Sequence, residues 1–76
     1  MTENQFYKNL SSNLKEIRKS KGMTQEQFAL FLNIGFYYYQ RIEAPNTNQT
    51  ISINLLIQIT NSLEIELTDL LKPSSN

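Results

Sequence analysis

Arg41 stands four residues after Tyr37 in the stretch Phe36-Tyr37-Tyr38-Tyr39-Gln40-Arg41-Ile42-Glu43, which neither proline nor glycine interrupts. On a helix that spacing puts the two side chains on one face. A guanidinium so placed can donate two hydrogen bonds to O6 and N7 of guanine in a DNA major groove, a contact worth about 1–3 kcal/mol of discrimination. Phe36 and Tyr37 lack the amide that pairs bidentately with adenine. Their chemistry is apolar contact with thymine methyl groups, with tyrosine hydroxyls, Tyr38 included, reaching bases or phosphates. Exposed aromatics also anchor protein partners, so the same residues suit an interaction module as well.

Other chemistries are poorly supplied. The 76 residues include no His and no Cys. Acid–base catalysis lacks its usual residue, disulfides and thiolate zinc sites are excluded, and a metal would have carboxylates alone to bind it. No enzyme, cofactor or metal is expected. The start, Met1-Thr2-Glu3-Asn4-Gln5, lacks the charged-then-apolar pattern of a leader, and no apolar run approaches a membrane span. The chain is expected to be soluble and cytoplasmic. Formal net charge is zero, weak support for a nucleic-acid partner. Up to Glu43, however, six basic residues face four acidic ones, whereas after it one faces three. The basic end therefore lies beside the candidate reading residues.

The elements that must position these residues follow from caps and periodicity. Thr24 with Gln27 three residues on forms a capping box that starts a helix. Phe28, Ala29 and Leu32 supply its buried face, while Glu26, Gln27 and Asn33 stay polar. Asn33 tolerates the left-handed conformation and Gly35 can serve as an N-cap, so Asn33-Ile34-Gly35 is a tight turn into a second helix from Phe36 to about Glu43. Upstream, Phe6, Leu10, Leu14 and Ile17 form a helical stripe over about Gln5 to Ser20, closed by Gly22. Ser11-Ser12-Asn13 could instead restart that helix and leave residues 1–9 as an arm. Downstream, Ala44 to Thr50 reads as a loop. Ser52 caps a helix whose broad apolar face is Ile53, Leu56, Ile57, Thr60 and Leu63, although Ile51-Ser52-Ile53 alone would pass for a strand. Thr68 to Leu71 makes a last turn or two before a tail from about Pro73 that is expected to be disordered. The expected fold is a single all-α domain, a compact bundle of about five short helices.

From about Leu14 to Leu71 this order resembles the lambda-repressor-like helix-turn-helix family of phage repressors, Cro proteins and restriction–modification controller proteins. The resemblance rests on Leu14-Lys15-Glu16-Ile17-Arg18 before Lys21-Gly22-Met23-Thr24-Gln25-Glu26-Gln27-Phe28-Ala29, then Arg41-Ile42-Glu43, then Leu56 to Leu63 and Leu67 to Leu71. It implies that Gln25 contacts a backbone phosphate, that Ala29 is small so the next helix packs close, and that Arg18 pairs with Glu43 as a structural tie. The chain departs from the family at three places: Asn33 replaces the turn glycine, Ala44-Pro45 replaces the glycine after the helix-three glutamate, and Phe36 to Tyr39 replace small polar residues and a β-branched core residue. Tyr39 matches the core position, so its ring is expected among Phe28, Leu32 and Ile42.

On this reading Phe36, Tyr37 and Arg41 read bases, and Lys21, Gln25, Tyr38 and Asn48 contact phosphates together with amides at the starts of the second and fourth helices. Asn46, Gln49 and Thr50 are further phosphate candidates. Leu55, Ile59, Ile65, Leu67, Leu70 and Leu71 offer more apolar surface than a small core can bury, which predicts a homodimer interface. A dimer would set its reading helices about 34 Å apart, in successive major grooves of a two-fold symmetric operator. The expected role is a transcriptional regulator acting through operator occupancy and contact with RNA polymerase. The rival is an antitoxin-like or adaptor module that binds protein through the aromatic run.

Overall fold

The computed structural model describes residues 1–44 and 50–73. Five helices account for them: α1 (Glu3–Ser20), α2 (Gln25–Leu32), α3 (Phe36–Glu43), α4 (Ile53–Leu63) and α5 (Leu67–Leu71). No strand forms among the described residues, so Ile53 opens a helix, capped by the Ser52 hydroxyl, which accepts from the Leu55 N–H at 3.1 Å.

α1 begins two residues before its expected start because Thr2 and Gln5 form a capping box of the same kind as Thr24 and Gln27. It then runs unbroken through Ser11-Ser12-Asn13. Those side chains do not turn back on the local backbone in competition with the helix. Ser11 donates to the carbonyl of Glu43 (3.0 Å), and Asn13 donates to the carbonyls of Leu70 (2.7 Å) and Lys72 (2.9 Å). Asn9, one turn earlier, donates to the carbonyl of Leu71 (3.1 Å). α1 thus caps the C-terminal ends of α3 and α5, whose last carbonyls have no partner within their own helices. Asn13 is buried, so Asn13→Ala strands two carbonyls. We expect a loss of about 1–3 kcal/mol, checked by thermal unfolding, whereas Asn9→Ala at the more exposed edge should lose less.

The core consists of Leu10 and Leu14 from α1, Phe28, Ala29 and Leu32 from α2, Tyr39 and Ile42 from α3, Leu56, Ile59 and Leu63 from α4, and Leu70 from α5. α4 corrects the sequence reading. Its inward stripe is Leu56, Ile59 and Leu63, while Ile53 (61% exposed) and Ile57 (51% exposed) face outward. The helix is apolar on several sides, so periodicity alone admits more than one stripe; packing against α2 and α5 selects this one. The same packing corrects the expected dimer surface. Ile59 and Leu70 are fully buried within one chain and cannot meet a second copy. Leu55, Ile65 and Leu71 are part-buried against the core, and Leu67 is exposed. No described helix is long and apolar enough to cross a membrane.

Candidate nucleic-acid interface

α2, its turn and α3 carry the candidate site, and polar contacts hold the turn from outside. Asn33 adopts the left-handed conformation (φ 60°, ψ 45°), and its N–H and that of Ile34 return to the carbonyls of Leu30 and Ala29, both at 3.0 Å. This closes α2 as a left-handed C-cap does. From α4, the Gln58 amide donates to the carbonyls of Leu32 and Asn33, both at 2.9 Å. Gly35 in extended conformation then starts α3 with no side-chain cap.

The other end of α3 is fixed by Glu43. Its carboxylate accepts from Arg18 Nε (2.7 Å) and Nη2 (3.1 Å), from Gln25 Nε2 (3.1 Å), and from the Tyr39 hydroxyl. Arg18 Nη1 also donates to the Met23 carbonyl at 2.9 Å, tying in the segment before α2. Arg18 and Glu43 are both nearly enclosed, with side chains 12% and 3% exposed. Burial alone would raise the Glu43 pKa, but hydrogen bonds from Arg18, Tyr39 and Gln25, with the Arg18 charge, hold it below the usual carboxylate range. The Glu43 hydrogen bond correspondingly raises the Arg18 pKa against the opposing effect of burial. The Tyr39 hydroxyl is pushed well above its ordinary value by burial, then by its bond to the Glu43 carboxylate.

These shifts set two pH limits. A carboxyl with a depressed folded pKa contributes stability above its unfolded value, about 4.3, and loses it as pH falls through the folded value. A phenol with a raised folded pKa contributes fully below about pH 10 and loses that contribution as pH climbs toward the folded value. Melting temperature should therefore hold a plateau between and fall on both sides. Glu43→Gln should flatten the acid limb and Tyr39→Phe the alkaline one; limbs identical to the parent's would assign the titrations to other groups.

With the turn before α3 and its C-terminal end fixed, its outward side carries Tyr37 (83% exposed), Arg41 (exposed) and Phe36 (37% exposed). The rings of Phe36 and Tyr37 lie 6.3 Å apart, centroid to centroid. The structure thus groups on one surface the three residues expected to read bases. The expected phosphate contacts are more scattered. Tyr38 is part-buried and donates its hydroxyl to the Thr50 carbonyl at 2.9 Å, pinning α3 to the segment before α4. Gln25 is part-buried and committed to Glu43, which places it with Arg18 in the scaffold. Lys21 is exposed, its Nζ 5.4 Å above the Phe31 ring, which stacks on Phe28. Asn48, with Asn46 and Gln49, lies outside the described residues.

Sequence reasoning missed the roles of Ser11, Asn13 and Gln58. Asn9 and Asn13, at i and i+4 beside the Leu10–Leu14 stripe, were a signal: amides next to a buried face need distant partners. Among the described residues, no group of three or more His, Cys, Asp or Glu could hold a metal.

A helix-turn-helix family model matches residues 14–70. No curated protein and no solved structure matches the chain.

Proposed function

The chain belongs to the lambda-repressor-like helix-turn-helix family, and from that premise we propose that this DNA-binding regulator is sequence-specific and reads a two-fold symmetric operator as a homodimer through the outward face of α3. One observation carries the reading: a short helix whose preceding turn and C-terminal end are held by polar contacts presents Phe36, Tyr37 and Arg41 together to solvent. A helix in that position of the motif enters the major groove, and its first residues with those one turn on meet base edges. Arg41 reads guanine. Lys21 and the backbone N–H groups at the start of α2 position the domain on phosphates. With Ile59 and Leu70 in the core, what remains of the expected two-fold surface is Leu67 with the part-buried Leu55, Ile65 and Leu71. Operator occupancy and contact with RNA polymerase then convert binding into control of transcription, in the cytoplasm.

Arg41→Ala tests the assignment. It should weaken binding to the preferred duplex by about 1–3 kcal/mol and relax one base position per half-site, with the melting temperature nearly unchanged because polar contacts of an exposed side chain contribute little to stability. Competition titrations with specific and random duplexes at one stated salt concentration check it. An equal loss for every duplex would make Arg41 a phosphate contact.

A further inference from the structure

We infer that the first turn of α3 reads the 5-methyl group of pyrimidines in the major groove: thymine in ordinary DNA, and 5-methylcytosine where it stands in thymine's place. This rests on the DNA-reading assignment above and specifies what that face recognises. All four residues of the turn, Phe36 to Tyr39, are aromatic. The structure removes two of them from the surface chemistry. Tyr39 is buried with its hydroxyl on Glu43, and Tyr38 is part-buried with its hydroxyl on the Thr50 carbonyl. Phe36 and Tyr37 remain, their rings side by side and exposed.

Phe36 has no polar side-chain atom, and Tyr37 offers a ring edge and a single hydroxyl. Neither can make the two-point contact to adenine N6 and N7 or to guanine O6 and N7. The one apolar feature that distinguishes base pairs in the major groove is the methyl on pyrimidine C5. Two exposed rings on the first turn of α3 gain from that methyl the hydrophobic transfer of one buried carbon, about fourfold in affinity per contact. Cytosine lacks the methyl and 5-methylcytosine restores it in the same place, so the rings respond to either methylated base.

The test starts from a preferred duplex, found by selection from random sequence, in which each thymine is replaced in turn by deoxyuridine. The parent protein should lose about fourfold at one or two positions in each half-site and nothing elsewhere. At those positions a 5-methylcytosine·guanine pair should bind more tightly than an unmethylated cytosine·guanine pair. In Phe36→Ala or Tyr37→Ala the thymine-to-uracil ratio should fall toward one, with melting temperature and the Arg41-dependent position retained. Sensitivity to uracil that survives in both variants would overturn the inference, as would a preferred duplex indifferent to every uracil. Failure of any duplex to be enriched would instead sink the DNA-reading assignment, and this inference with it; capture of a polypeptide in a way that Tyr37→Ala abolishes would give the rings to a protein partner.

Discussion

Arg18→Ala should destabilise the domain by about 3–5 kcal/mol, the penalty for leaving a buried charge without its partner. A chain of this length has roughly 4–11 kcal/mol in total, so a loss of that size is a large share of what holds the fold. The reason lies in Glu43. Its enclosed carboxylate accepts two hydrogen bonds from the guanidinium, and Gln25 and Tyr39 alone cannot neutralise the charge that remains. Arg18 also donates to the Met23 carbonyl, so the entry to α2 loosens together with the end of α3. Thermal unfolding should show a fall of more than about 12 °C, at roughly 4–8 °C per kcal/mol for a domain of this size. Arg18→Met combined with Glu43→Leu should lose less than the two single changes added together, because removing both charges leaves neither stranded. A single variant that melts with the parent would show that the pair contributes nothing to the fold.

Phe28→Ala should be comparably damaging, at about 3–5 kcal/mol, through a cavity instead of a charge. The ring is fully buried, meets Tyr39 edge-on at 5.4 Å between centroids, and stacks on Phe31 at 6.2 Å. Losing it removes apolar contact from both sides of the α2–α3 junction and frees the Tyr39 ring on which α3 rests. Phe28→Leu refills much of the space and should lose markedly less. Amide exchange separates the outcomes: protection in α2 and α3 should collapse in Phe28→Ala before protection in α1. A variant that melts within a few degrees of the parent would mean that the neighbouring side chains close the gap.

The motif was legible in the sequence because its signals are local. The Thr24–Gln27 box, the left-handed Asn33 and the Gly35 N-cap each act within four residues, and each is present in the structure. Tyr39 in the core and Arg18 beside Glu43 follow the family resemblance. The expected start of α1 near Gln5 falls two residues late, although Thr2 and Gln5 repeat the same box. What could not be read depends on partners far along the chain. Asn13 reaches carbonyls 57 and 59 residues away, and Gln58 reaches back 25 and 26. The rotation of α4 was ambiguous for the same reason: Ile53 and Ile57 are as apolar as Leu56 and Ile59, and only the packed neighbours decide which pair is covered. Apolar residues in surplus of one small core point Ile59 and Leu70 to an interface, whereas five helices packed together bury both.

The central claim, that α3 reads DNA bases, is tested most directly by selecting bound duplexes from a random-sequence pool at fixed salt, with the parent protein and with Arg41→Ala. The parent should enrich an inverted repeat whose half-sites are centred about one helical turn, 10–10.5 base pairs, apart. Its affinity should fall only gently with added salt, since few phosphates are neutralised by a chain of zero net charge and each contributes a slope of about −0.9. Arg41→Ala should return the same repeat with one guanine position per half-site randomised. A pool that stays random under the parent protein, or enriches equally under both proteins, would contradict the account.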